Sequence, residues 1–168
     1  IGLATADVLG AVTLSAVTWL LFTFLSGWIS DRIGRRTTYI AGWIMQLLGV
    51  FLLFPLVNTG SIVMLTLGLV ILTVGLGFTY GPQAALYAEL FPASIRFSGV
   101  SISYALGAIL GGAFAPLIAA ALVKATGGTG SVTVYLAVMT LIGLGATLML
   151  RDRTGIPLGP DHEAEQSV

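Results

Sequence analysis

The densest cluster of charged side chains in this chain lies in the segment Gly27–Arg36, whose sequence is GWISDRIGRR. The segment holds one carboxylate and three guanidinium groups, carried by Asp31, Arg32, Arg35 and Arg36. Ion pairs and charge-assisted hydrogen bonds are therefore the chemistry that it can perform. Long apolar segments flank it on both sides. A basic cluster between two membrane-length segments is typical of a short cytoplasmic loop, which we place at 30–37.

A second set of polar side chains interrupts an apolar segment further along the chain. Gly81-Pro82-Gln83 places an amide beside a proline, which removes a backbone donor and is expected to break the helix. Breaks of this kind at membrane depth line substrate sites in transporters. Tyr80, Gln83, Tyr87 and Tyr104 are therefore candidate cavity residues. A hydrogen bond between helices would explain Gln83 equally well.

Composition assigns the chain to the integral membrane proteins. Of its 168 residues 57% are hydrophobic and 8% are charged, and the mean hydropathy is +1.01. Soluble domains carry about 25% charged residues. The net charge of zero gives no basic field that would attract nucleic acid, and no cysteine is present. The spans contain no His, carboxylate pair or ligand set, so we expect no enzyme activity, metal or cofactor.

The apolar segments predict an all-α fold with five transmembrane helices, since one span needs about 20 apolar residues. The spans are expected at 8–29, 38–57, 61–87, 98–123 and 132–150, followed by a polar, flexible tail at 151–168. Thr5 and Asp7 are expected to cap the first helix. A turn is expected at 55–61 and a polar loop at 89–97.

Small residues and prolines predict how the spans pack. Gly77 and Gly81 in the third span, and Gly107 and Gly111 in the fourth, have the four-residue spacing that lets helices approach closely in lipid. Pro116, like the proline at 82, is expected to bend its helix.

The distribution of basic residues predicts the orientation. With five spans, both polar loops and the tail lie on one side of the membrane, and they carry all but one of the seven basic residues. The exception, Lys124, lies on the other side. This asymmetry predicts that the N-terminus faces outward and that the tail is cytoplasmic.

The pattern Gly-x-x-x-Asp-Arg-x-Gly-Arg-Arg at 27–36 resembles the loop signature of the major facilitator superfamily. The later segments YGPQAALYAELFP at 80–92 and RFSGVS at 96–101 resemble the C-terminal half of its metabolite:proton symporter family. Members of that family carry proline, glycine betaine, shikimate, citrate or 2-oxoglutarate. The resemblance implies that the five spans correspond to helices eight to twelve of a twelve-helix carrier.

The resemblance also implies the function and the partners. We expect a secondary active transporter of the plasma or inner membrane that moves a small organic acid or zwitterion by proton symport with alternating access. The N-terminal half of the same carrier and the lipid bilayer are the implied partners. The spans hold no ionisable residue in their middle, so the proton-carrying group is expected outside these residues.

The resemblance also implies a role for the charged loop. In the family such loops form a gating network that holds the cytoplasmic ends of the two six-helix halves together when the carrier is open outward. Asp31 follows the C-terminal end of a helix, where the dipole disfavours an anion, so it needs a positive partner. Gly27 is expected to let a facing helix approach, and Gly34 to let the loop turn tightly. The predicted network comprises Gly27, Asp31, Arg32, Gly34, Arg35, Arg36, Glu89 and Arg96. Alternatively, the arginines only fix the topology.

Two readings of the whole chain stay open. The abrupt start at Ile1 and the odd number of spans predict a fragment of a larger transporter. The alternative is a five-span membrane subunit or anchor that does not transport. The substrate cannot be named from these residues.

Overall fold

Long helices make up nearly all of the computed structural model, which describes residues 4–151, 153–155 and 159. The helices are α1 (Thr5–Ile33), α2 (Arg35–Val57), α3 (Ile62–Leu90), α4 (Arg96–Gly107), α5 (Ala115–Thr126) and α6 (Gly130–Met149). A π-helical segment, Ala108–Ala113, lies between α4 and α5, and residues 96–126 together form what we call the α4–α5 rod. The rod, α1, α2, α3 and α6 are each long and apolar enough to cross a bilayer. The predicted fold class is confirmed, whereas most of the predicted tail at 151–168 lies outside the described residues.

The first helix begins earlier than predicted. It starts at Thr5 instead of Val8, and its N-cap residue, Ala4, makes no side-chain capping hydrogen bond. The prediction that Thr5 and Asp7 cap the helix is therefore wrong. Asp7 lies within the first turn, where the positive end of the helix dipole favours a carboxylate.

The turn between α1 and α2 is a single residue, Gly34, where a loop at 30–37 was predicted. Gly34 has φ 97°, a conformation that side chains disfavour, and its N–H donates to the Ser30 carbonyl at 3.1 Å. The Thr38 hydroxyl donates to the Gly34 carbonyl at 2.9 Å. Because one glycine reverses the chain, the charged residues on either side of it belong to helices.

The third helix continues through Pro82, so the break predicted there is absent. Pro82 is fully buried, and the close packing of α3 against its neighbours holds the backbone in helical geometry. Likewise α2 continues through Pro55, and its turn begins only at Asn58. Pro116 instead lies in the first turn of α5, where a proline is tolerated, directly after the π-helical segment.

The centre of the bundle is α3, which packs against α1 and α2 through glycines. A Cβ atom on Gly75 would lie 2.5 Å from the backbone N of Gln46, and one on Gly42 would lie 2.7 Å from the N of Thr79. A Cβ on Gly77 would lie 2.7 Å from the Cβ of Phe22. Small residues therefore set the distances between these helices.

The α4–α5 rod is attached far less closely to the bundle. None of its residues is buried among the described residues. A Cβ atom on Gly107 or Gly111 would meet nothing within 4 Å. The prediction of close packing along this glycine ridge is therefore wrong for the described residues, and the ridge is an open surface.

Candidate functional site

Charged side chains gather at one end of the bundle, which we call the basic end. The C-terminal ends of α1, α3 and α6 meet there with the N-terminal ends of α2 and α4. The residues of the predicted network that carry charge all lie at this end: Asp31, Arg32, Arg35, Arg36, Glu89 and Arg96.

Arg35 is the centre of the ion pairs. Its Nε lies 2.9 Å from Oε1 of Glu89, and its Nη2 lies 3.2 Å from Oδ1 of Asp31. The Glu89 side chain is 6% exposed and that of Asp31 is 66% exposed. The buried Arg35–Glu89 pair links α2 to α3. The Arg35–Asp31 pair is exposed to solvent and contributes at most about 1 kcal/mol to the stability of the fold. The positive partner expected for Asp31 is therefore Arg35.

Two other arginines of the predicted network donate hydrogen bonds to backbone carbonyls at helix ends. Arg36 donates from Nη2 to the Leu148 carbonyl at 2.7 Å, which satisfies a free carbonyl at the end of α6. Arg96 donates from Nε to the Ala88 carbonyl at 2.8 Å and to the Phe91 carbonyl at 3.2 Å, at the end of α3.

Arg32 has a different partner again. The carbon atom of its guanidinium lies 3.9 Å from the ring centroid of Trp28, within the range of a cation–π contact. The structure therefore brings Asp31, Arg35 and Glu89 together, and it also places Arg36 and Arg96 against carbonyls at helix ends.

The crossing of α1 and α3 beside this network depends on Gly81. A Cβ atom on Gly81 would overlap the Ser26 hydroxyl and the Thr23 carbonyl, and would lie 2.7 Å from the N of Gly27. A Cβ on Gly27 would lie 3.9 Å from the Gly81 carbonyl, an ordinary contact. The close approach that we expected at Gly27 therefore requires its partner glycine on α3. The Ser26 hydroxyl donates to the Gly77 carbonyl at 2.8 Å across the same crossing.

A cavity of about 300 Å³ lies between α2, α3 and the rod, and we call it the tyrosine cavity. Its lining residues are Tyr39, Trp43, Tyr80, Gln83, Tyr87, Ser103, Tyr104, Gly107 and Ala108. All four candidate cavity residues from the sequence are among them. The hydroxyls of Tyr80 and Tyr104 lie 3.3 Å apart and link α3 to the rod.

Tyr39, Trp43 and Ser103 were missed in the sequence. Tyr39 and Trp43 are four residues apart on α2, so they share a face, and this spacing is the signal that could have identified them. Their rings pack edge to face with centroids 5.8 Å apart. An unremarkable serine such as Ser103 carries no comparable signal.

Trp43 is held in place by α6. Its indole N–H donates to the Thr147 hydroxyl at 3.0 Å. A Cβ atom on Gly143 would lie 2.5 Å from Cη2 of Trp43, so the indole ring fits against α6 only because residue 143 is a glycine. Helix α6 thus fixes one wall of the tyrosine cavity without lining it.

The tyrosine cavity carries hydrogen-bonding groups but no charge. Among the described lining residues there is no Asp, Glu, Lys, Arg or His. No group of His, Cys, Asp and Glu within the described residues could hold a metal ion. The cavity is therefore suited to bind a small organic molecule and offers no nucleophile paired with a base.

Comparison with known proteins decides the family. Residues 1–167 match the sequence model of the Major Facilitator Superfamily. The chain belongs to this superfamily. Its members are transporters and not enzymes, as predicted, and the metabolite transporter relatives agree with the resemblance in the sequence.

Three curated relatives illustrate the similarity. The chain is 34% identical to the inner membrane metabolite transport protein YhjE of Escherichia coli (strain K12), over 90% of this chain and 34% of that protein. It is 32% identical to the shikimate transporter of the same organism, over 74% of this chain and 29% of that protein. It is 31% identical to the citrate-proton symporter of Klebsiella pneumoniae, over 93% of this chain and 35% of that protein.

The chain thus spans about a third of the length of the curated relatives that it matches. No solved structure matches it.

Proposed function

We propose that this chain forms one wall of the substrate pathway in a secondary active transporter. The cargo is a small organic acid or zwitterion, and the transporter carries it by symport with a proton. The observation that supports this proposal best is the tyrosine cavity, whose polar lining lies among apolar, membrane-length helices. Polar side chains are costly at membrane depth and mark substrate pathways.

The proposal includes a second bundle that faces this one, the N-terminal half of the carrier. The α4–α5 rod lines the tyrosine cavity, and part of its surface is open, including the position of Gly111, which does not line the cavity. Alternating access then consists of one bundle rocking against the other around the cavity. The proton-carrying group belongs to the second bundle in this account.

The basic end is proposed to face the cytoplasm of the cell, with the N-terminus of the chain outside, in accord with the positive-inside rule. There it acts as the latch of the outward-open state. Arg35 is proposed as its central residue, because it joins the ion pairs with Glu89 and Asp31.

The test is uptake by cells that express the whole gene product. We expect accumulation of at least one of labelled shikimate, citrate, proline and glycine betaine, and its loss when a protonophore is added. If none of the four solutes accumulates, the proposal is overturned. If uptake persists with the protonophore, proton symport is overturned.

A pair of amide substitutions shows whether uptake depends on the tyrosine cavity. Gln83→Ala removes a lining amide and is expected to lower uptake at least tenfold. Gln46→Ala removes an amide of α2 that does not line the tyrosine cavity, and uptake should stay within twofold of the wild type. Equal losses in the two variants, at equal expression, would contradict the role of the cavity.

A further inference from the structure

The wall of the tyrosine cavity is aromatic as well as uncharged. Five of its nine lining residues are Tyr39, Trp43, Tyr80, Tyr87 and Tyr104. The face of an aromatic ring carries partial negative charge and attracts a cation that lies within about 6 Å of the ring centroid. Tyr80 and Tyr104 are 47% and 49% exposed, so much of their ring surface is open to a ligand.

An anion would find weaker partners in this wall. The indole N–H of Trp43 is already donated to Thr147, and the hydroxyls of Tyr80 and Tyr104 are within hydrogen-bonding distance of each other. None of the described lining residues carries a positive charge. A carboxylate that entered this wall would lose its hydration without gaining an ion pair, which costs free energy.

From these observations we propose that the tyrosine cavity is a subsite for a methylated ammonium group, the cationic end of a small zwitterion or of a quaternary amine. Such a group has no N–H to satisfy, and its charge is spread over methyl groups that contact ring faces. Rings from α2, α3 and the rod surround a space of about 300 Å³, so they contact such a group from several sides. The inference rests on the proposed function, because it names the class of metabolite that this wall selects.

The test compares two ligands of the same shape and different charge. Choline carries a trimethylammonium group, and 3,3-dimethylbutan-1-ol carries a neutral tert-butyl group in its place. Binding to the whole purified protein in lipid nanodiscs is measured by calorimetry. Choline should bind about tenfold more tightly than its neutral isostere, because several ring faces attract its cationic group. Equal affinities, or no binding of choline, would overturn the inference.

Two substitutions of Tyr104 distinguish the contribution of its ring face to the affinity for choline from the contribution of its hydroxyl. Tyr104→Leu should lower the affinity for choline about fivefold, whereas Tyr104→Phe, which keeps the ring, should lower it less than twofold. Tyr135→Leu is the matched control, since Tyr135 lies on α6 and does not line the cavity. If the phenylalanine variant loses as much affinity as the leucine variant, the ring face is not the binding group and the inference fails.

Uptake by cells that express the same protein and its Tyr104 variants distinguishes this inference from the proposed function. Citrate or shikimate uptake that choline does not inhibit would overturn the ammonium subsite and leave the transporter proposal standing. Choline binding that depends on the ring of Tyr104, in a protein that transports none of the solutes, would support the subsite and overturn the transporter proposal.

Discussion

The substitution Gly81→Ala tests the helix packing most sharply. The added methyl group would overlap the Thr23 carbonyl and the Ser26 hydroxyl and would lie 2.7 Å from the N of Gly27. A serine hydroxyl can rotate away, but a backbone carbonyl and a backbone N can move only if α1 moves with them. The substitution therefore separates α1 from α3 instead of causing a local adjustment.

The magnitude of this effect follows from overpacking. Insertion of one methyl group into a closely packed region costs about 3 kcal/mol where the surroundings cannot rearrange. Separation of the helices would also lengthen the hydrogen bond from Ser26 to the Gly77 carbonyl, which contributes about 0.6 kcal/mol in a membrane. The total is about 3.6 kcal/mol, roughly a 400-fold change in the folding equilibrium.

The assay is reversible unfolding of the purified protein in detergent mixtures, followed by circular dichroism. Gly27→Ala is the matched control, because its Cβ would make only an ordinary contact, 3.9 Å from the Gly81 carbonyl. We expect the control to lose less than about 0.5 kcal/mol. A Gly81→Ala protein as stable as the control would refute this account of the crossing. The double variant with Ser26→Ala should stay unstable, because the Thr23 carbonyl still blocks the methyl group.

Three further predictions concern the basic end and the cavity wall. Glu89→Gln should lower the free energy of unfolding by about 2 kcal/mol, because Arg35 loses its buried charged partner and keeps only the exposed Asp31, and an unchanged stability would contradict the pair. Asp31→Asn should change the stability by less than about 0.5 kcal/mol because that carboxylate is 66% exposed. It should nevertheless lower uptake at equal membrane insertion, and unchanged uptake would argue against the latch. Gly143→Ala should displace the indole of Trp43 and shift its fluorescence, measured in a protein in which every other tryptophan is replaced by phenylalanine; an unshifted spectrum would contradict the contact.

The class of fold was predictable from the sequence because lipid imposes few solutions. Apolar segments of membrane length can only be helices, and the polar residues between them mark their ends. The ends themselves were less predictable. Arg35 and Arg36 were placed in a loop because a basic cluster between two apolar segments is typical of one, whereas Gly34 alone makes the turn.

The candidate site was predictable in its residues but not in its pairings. Gln83 and the tyrosines were identified because Gln83 is costly in lipid and because they cluster beside the break expected at Pro82, although α3 continues through that proline. The partners of Arg36 could not be inferred, because a contact with the end of α6, more than a hundred residues away, leaves no local pattern. Trp43 was missed for a similar reason, since its position depends on Gly143 and Thr147 of another helix.

The central claim, that the tyrosine cavity is part of a water-filled substrate pathway, is tested most directly by cysteine labelling in membranes. The 168 residues contain no cysteine, so a cysteine introduced at a chosen site is the only one among them. Ser103→Cys lines the tyrosine cavity, whereas the neighbouring Ile102→Cys is on an exposed surface of the same helix outside it. We predict that a water-soluble maleimide labels Ser103→Cys much faster than Ile102→Cys, which does not line the tyrosine cavity. An unreactive Ser103→Cys, or faster labelling of Ile102→Cys, would contradict the account.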